Sequence, residues 1–271
     1  MLEESVFIFD FDGTLYQGDP VSRAFLESIL QEVGREDLFA PAWTAVHRIS
    51  TGSHGVRVGQ FVSLTDPPGS LARSSAEAYE AYLSSLVSSA EAGSRAHRIG
   101  DGWGVVFAVT EPLTKEITTF HRAFSNMRTR LASSSSPLVV DGRLRETLQG
   151  LKEAHRLILF SNSAVGPDGE ALLRHLGIDD LFDEIRFEAG KPTGMTDRIA
   201  SILRETGLSP ERIVSIGDHP WNDLYPARAS GAHTVLVSPY PELDRPEWSY
   251  RVSDVPGLIT LLSEEWALGA A

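Results

Sequence analysis

Asp10 and Asp12 close the apolar run Val6-Phe7-Ile8-Phe9 and are followed by Gly13 and Thr14. The run, short and rich in β-branched and aromatic residues, predicts a buried strand. Aspartates two apart on an extended backbone share one face, and Gly13 breaks the strand behind them. Carboxylates paired where a buried strand opens into a loop are costly unless a cation or a reaction uses them. The spacing therefore predicts a site within the first fifteen residues, and a metal site first of all.

Three later stretches end apolar runs in the same manner. Leu157 to Phe160 stops at Ser161-Asn162, a loop after Phe187 carries Lys191-Pro192, and Ile213 to Ile216 stops at Gly217-Asp218, with Asn222-Asp223 just beyond. Lys115, Lys152 and Lys191 are the only lysines in a chain that otherwise uses arginine. In open parallel sheets, ligands bind outside the carboxyl ends of the strands. Brought to one such edge, these residues offer carboxylates for a hard cation, a lysine and a hydroxyl for phosphate-like oxygens, and glycines that free backbone amides. Carboxylates without a histidine or cysteine cluster favour Mg²⁺ over zinc.

The elements that must position these residues alternate. Helical spacing over Arg143–Ala154, Gly169–Leu176, Met195–Thr206, Asn222–Ala229 and Val255–Trp266 is interleaved with strand candidates at Leu157–Phe160, Glu184–Phe187, Ile213–Ile216 and His233–Val237. This rhythm predicts an α/β fold, a doubly wound parallel sheet with helices on both faces. The first strand fits the sheet, but the next arrives only at Leu157. Between them, helical stretches at Val21–Val33, Ala72–Ala90 and Pro112–Leu131, glycine-rich pieces at Thr51–Gly59 and Gly100–Gly104, and the linker-like Ser133-Ser134-Ser135-Ser136-Pro137 predict an inserted, mostly helical domain. The expected division is a core of 1–18 and 137–271 and an insert of 19–136.

The chain has 271 residues, 42% hydrophobic and 23% charged, as globular proteins do. A formal charge of −13 disfavours nucleic acid and anionic membranes as partners. With no cysteine, disulfides, thiolate metal sites and cysteine nucleophiles are excluded. No apolar run approaches a membrane span and the acidic start does not resemble a secretory signal, so a cytoplasmic location is expected.

FDFDGTL, LILFSN, Lys191 and GDHPWND, in that order and in those strand contexts, resemble the four motifs of the haloacid dehalogenase superfamily of phosphohydrolases: DxDGT, an apolar strand ending in serine or threonine, a lysine, and GDxxxxD. The resemblance covers roughly 1–18 and 138–265, and the insert stands where one branch of the family carries a helical cap. It implies that Asp10 is the nucleophile, forming an aspartyl-phosphate, and Asp12 the acid and base. It implies Mg²⁺ held by Asp10, the Asp12 backbone carbonyl and Asp218, with Asp223 as ligand or support. It places Ser161, Asn162, Lys191, Gly13 and Thr14 around the phosphate.

An acid at residue 12 suits an alkoxide leaving group. The implied function is a Mg²⁺-dependent phosphomonoesterase acting on a small phosphorylated metabolite. The alternatives are a phosphomutase and a non-catalytic phosphate-binding or regulatory protein. The Pro-Thr-Gly-Met after Lys191 departs from the acidic or aromatic residues common there. In the insert, His54 and Arg57 are candidate substrate contacts from a glycine-rich loop, with Trp103 and Arg122 weaker ones. Phe120, Phe124 and Met127 read as helix packing.

Overall fold

The structure, a computed structural model, describes residues 4–64, 66–89, 96–136, 138, 141–240 and 247–266. The chain divides into two compact units: Met1–Gln17, Leu138–Pro239 and Asp244–Ala271 form one, Gly18–Pro137 and Tyr240–Leu243 the other.

In chain order, β1 (Val6–Phe9) is followed in the second unit by α1 (Asp19–Val33), α2 (Phe39–Ser50), β2 (Phe61–Ser63), α3 (Ala76–Ser85), β3 (Val87–Ser89), β4 (Ala96–Arg98), α4 (Gly102–Thr110) and α5 (Ile117–Leu131). The first unit resumes with α6 (Gly142–Lys152), β5 (Arg156–Phe160), α7 (Pro167–Leu176), β6 (Glu184–Arg186), α8 (Thr193–Thr206), β7 (Ile213–Gly217), α9 (Tyr225–Ala229), β8 (His233–Val237), β9 (Tyr250–Val252) and α10 (Val255–Glu265). Six strands form one parallel sheet in the order β6-β5-β1-β7-β8-β9. This is the α/β core with an inserted, mostly helical region that the alternation predicted. Among the described residues no helix is long and apolar enough to cross a membrane.

The sheet is buried on both faces because β1 is apolar at every position and its neighbours β5 and β7 are apolar but for Arg156 and Ser215. Val6, Ile8, Ile158 and Phe160 face Met195, Ile199 and Ile202 of α8. On the alternate positions, Phe7 meets Trp266 edge-on at 5.5 Å and Phe9 meets Phe182 at 6.0 Å. Each such side chain removed from water contributes about 1.5–3 kcal/mol, so β1 is held firmly where the carboxylates leave it.

The insert differs in detail from the sequence pattern. The helix expected over Ala72–Ala90 is α3 alone, capped by Ser75 and ended by the extended Leu86, after which the chain turns into β3; Ala90 lies outside the described residues. The Pro112–Leu131 helix divides at Thr114, whose extended backbone and hydroxyl, accepting from the Glu116 N–H at 3.1 Å, end a 3₁₀ turn before α5 starts. The glycine-rich piece near residue 100 opens α4, since Asp101 accepts the Gly104 N–H at 2.7 Å and caps it. A small antiparallel sheet, β3-β2-β4, and the edge strand β9 have too few residues for a readable alternation. In the core, the helix expected at Asn222–Ala229 is a wide π-type turn, Pro220–Leu224, leading into α9.

Candidate active site

From β1 the chain moves to β5 and β6 on one side and returns to β7, β8 and β9 on the other. The strand order thus switches between β1 and β7, the place where an open sheet leaves a crevice at its carboxyl edge. Asp10 follows β1 and Asp218 follows β7. The Asp10 N–H donates to the Ile216 carbonyl at 2.8 Å, which extends the pairing to the first site residue.

Asp10, Asp218 and Asp223 each present an oxygen within 4.8 Å of the others. Two glycines make this approach possible. A Cβ on Gly13, whose φ is +90°, would lie 2.1 Å from Asp218 Oδ2, and one on Gly217 would lie 2.4 Å from Asp223 Oδ2. Asp223 is fixed from its own turn: its N–H donates to the His219 carbonyl at 3.0 Å, and its Oδ2 accepts the His219 N–H at 3.2 Å. Ser215 donates to the Asp223 carbonyl at 2.9 Å.

Lys191, its side chain 2% exposed, donates to Asp10 Oδ1 at 2.7 Å and to Asp223 Oδ1 at 2.6 Å. Burial pulls its ammonium down, but Asp10 and Asp223 more than offset this and hold it above the ordinary lysine range. Asp10 is pushed up to about 7, chiefly by burial; Lys191 pulls it down, while Asp223 and Asp12 add repulsion. Three carboxylate oxygens grouped at one point, with no histidine among them, make the oxygen donor set that a hard divalent cation takes.

Asp12 stands apart from this group. Its Oδ1 accepts from the Tyr16 hydroxyl, and its Oδ2 accepts from Ser161 Oγ at 3.2 Å and from Ser163 Oγ. Ser161, at the end of β5, is held by its N–H to the Arg186 carbonyl at 2.9 Å and receives the Ala189 N–H at 3.0 Å. Thr14 donates to Asp10 Oδ2 at 3.3 Å. Asn162 turns its amide to the Lys191 backbone: Oδ1 accepts the N–H at 2.7 Å and Nδ2 donates to the carbonyl at 3.0 Å. Its side chain therefore fixes the lysine loop.

The residues predicted to act from the core thus lie in one unit, joined by hydrogen bonds and by the carboxylate group. Sequence reasoning did not single out Tyr16 and Ser163. Ser163 had a signal, since it follows Ser161 by two, as Asp12 follows Asp10. Tyr16 had none, because its reach depends on the turn after β1.

The insert candidates are placed differently. His54 is half-buried, with Nδ1 accepting the Val56 N–H at 3.1 Å, and burial pushes its imidazole down. Arg57 is exposed, and its backbone N–H donates to Gln60 Oε1 at 3.0 Å. Trp103 packs edge-on against Phe25 and Phe124. Arg122 pairs with Glu32 at 2.7 Å. Phe120 and Met127 are buried, as helix packing requires.

Comparison with known proteins agrees with this architecture. The chain is similar to HAD-hydrolase YfnB from Bacillus subtilis, solved bound to magnesium, at 16% identity and a TM-score of 0.50, covering 96% of this chain and 99% of that one. It is similar to a haloacid dehalogenase-like family protein from Streptococcus pneumoniae at 15% identity and a TM-score of 0.52, with the same coverage. Likenesses at such identities speak for the fold alone. No curated protein matches the chain. A family model for haloacid dehalogenase-like hydrolases matches residues 5–231, so the chain belongs to that family of hydrolases and carries its inserted cap.

Proposed function

We propose that this protein is a Mg²⁺-dependent phosphomonoesterase that hydrolyses a small phosphorylated metabolite through an aspartyl-phosphate on Asp10. The observation that carries this reading is the separation of the two leading carboxylates: Asp10 belongs to the group with Asp218, Asp223 and Lys191, whereas Asp12 is surrounded by hydroxyls.

Asp10, Asp218 and Asp223 would hold the cation, with the Asp12 backbone as a further ligand. When bound, the cation offsets the repulsion between an anionic nucleophile and an anionic phosphate. An oxygen of Asp10 attacks phosphorus as the ester P–O bond breaks, and Asp12 gives its proton to the departing alkoxide. Water then attacks the acyl-phosphate, its proton passes to Asp12, and phosphate leaves with Asp10 restored. Lys191, Ser161 and the backbone amides at Gly13 and Asn162 steady the transferring oxygens, so most of the rate comes from positioning and charge. The Asn162 amide keeps Lys191 in place. His54 and Arg57 are the insert residues we put forward as contacts to the leaving group.

The test is an assay on sugar phosphates, nucleotides and phosphorylated acids, with and without Mg²⁺. Asp10→Asn should lower kcat by at least about a thousandfold, as loss of a covalent nucleophile does. A variant that keeps full rate would end this mechanism.

A further inference from the structure

The proposed reaction gives a role to Ser161 but none to Tyr16 or Ser163, the other two hydroxyls around Asp12. Tyr16 donates to Oδ1, whereas Ser161 and Ser163 both donate to Oδ2. Tyr16 is buried, and its ring meets Phe11 edge-on at 5.2 Å. The turn that brings it back is closed by the Leu15 N–H to the Phe11 carbonyl at 3.1 Å and by Gln17 Nε2 to the Gly13 carbonyl at 2.6 Å. Ser163 is fixed through its backbone: its N–H donates to Ser161 Oγ at 3.2 Å and its carbonyl accepts the Glu188 N–H at 2.8 Å.

We propose that Tyr16 is a positioning residue that anchors Oδ1 of Asp12, leaving Oδ2 as the oxygen that passes the proton. The inference rests on the reading of Asp12 as acid and base. A carboxylic acid carries its proton on one oxygen and can still accept at the other. A hydroxyl on Oδ1 therefore holds the side chain in both protonation states.

The two oxygens differ in their donors. Ser161 has one hydroxyl proton and in the proposed reaction turns it to a phosphoryl oxygen. Oδ2 then loses a donor where it must carry a proton, and Ser163 stays as its neighbour. In the first step the Asp12 O–H bond breaks as the O–H bond of the alcohol forms. In the second, a water O–H bond breaks and the Asp12 O–H bond is restored. Tyr16 is bonded throughout and is not consumed.

The experiment compares leaving groups. The p-nitrophenolate of p-nitrophenyl phosphate and the acetate of acetyl phosphate leave without a proton, whereas the alkoxide of β-glycerophosphate needs one. kcat/KM reports the step in which that group departs. Tyr16→Phe should lower kcat/KM for β-glycerophosphate by about 10- to 100-fold, part of what a positioned acid supplies, and for the two acid-independent substrates by less than about threefold. Ser163→Ala, a smaller change at a partly exposed position, should show the same selectivity to a lesser degree. Asp12→Asn sets the full size of the effect.

If Tyr16→Phe and Ser163→Ala lower all three substrates equally, or none, while Asp12→Asn is selective, the anchoring role is overturned and the phosphatase reading stands. If Asp12→Asn itself shows no dependence on the leaving group, the acid–base reading fails, and the anchor with it.

Discussion

The core site and the candidate contacts of the insert hold their polar side chains in opposite ways. In the core, Lys191, Asp10 and Asp223 are withdrawn from water and satisfy one another at 2.6–2.7 Å. In the insert, Arg122 keeps 55% of its side chain in solvent while pairing with Glu32, and the half-buried His54 bonds to the Val56 N–H and to the Leu83 backbone of α3. Buried charge is expensive and is tolerated where geometry satisfies it; exposed charge costs little and binds weakly. The contrast separates a buried cluster suited to chemistry from candidate contacts that lie at or near the surface. The insert does bury Arg128, with its guanidinium 4.8 Å from the Phe124 ring, but on a packed helix.

The contrast can be broken first at the cation. Chelation should abolish turnover and added Mg²⁺ restore it. Asp218→Asn should raise the Mg²⁺ needed for half-maximal rate at least about tenfold, the scale seen when support around a metal is removed. Titration of activity against Mg²⁺ measures this, and an unchanged midpoint would remove Asp218 from the ligand set.

Next comes stability without metal. Lys191→Met leaves two buried carboxylates without their ammonium and should lower the unfolding free energy in EDTA by about 3–5 kcal/mol. Arg122→Met, at an exposed pair, should cost less than about 1 kcal/mol. Urea melts of both variants give the comparison directly. Equal losses would show that the core pair is no more than a surface contact. Adding Mg²⁺ should recover part of the Lys191→Met loss and none of the Arg122→Met loss.

Gly13→Ala sharpens the same point by geometry. It puts a Cβ 2.1 Å from Asp218 Oδ2 and strains a backbone at φ +90°. The strain alone is worth about 1–3 kcal/mol, and displacement of Asp218 should also weaken Mg²⁺ binding. A thermal melt and a Mg²⁺ titration separate the two effects.

The smallest effect expected is a pH dependence away from the carboxylates. Burial pushes the His155 imidazole below its usual 6.5, and its Nδ1 accepts the Ser5 N–H at 3.2 Å. The unfolded chain binds this proton more readily than the fold does. Stability is therefore whole above pH 6.5 and falls as pH drops through that value toward the folded-state pKa. His155→Asn should flatten the melting temperature between pH 6.5 and 5.5 relative to wild type. Parallel slopes would acquit the histidine.

The legibility of the two regions follows the same contrast. The core strands and helices could be read because each apolar stripe faces a sheet and repeats at its own period, as Leu144, Leu148 and Leu151 do in α6. The insert was harder. α2 and α4 lie in stretches whose glycine, proline and short apolar runs hide the helix, and three-residue strands such as β2 have no period to detect. The aspartates stood out because carboxylates are unusual at the ends of buried strands, and Ser161 and Lys191 drew their meaning from their order beside them.

By itself, the sequence determined five of the six core strands, the point of insertion and the candidate site residues, because periodicity and strand-end polarity are local properties of the chain. The tertiary structure alone decided which carboxylates stand together. Asp10 and Asp12 are alike in sequence, two residues apart on one strand end. Their difference comes from their neighbours: Asp218, Asp223 and Lys191, distant in the chain, for the first, and the distant Ser161 and Ser163 with the nearby Tyr16 for the second. Burial and partner charge set a carboxylate's role, and both are fixed only when the strand ends meet.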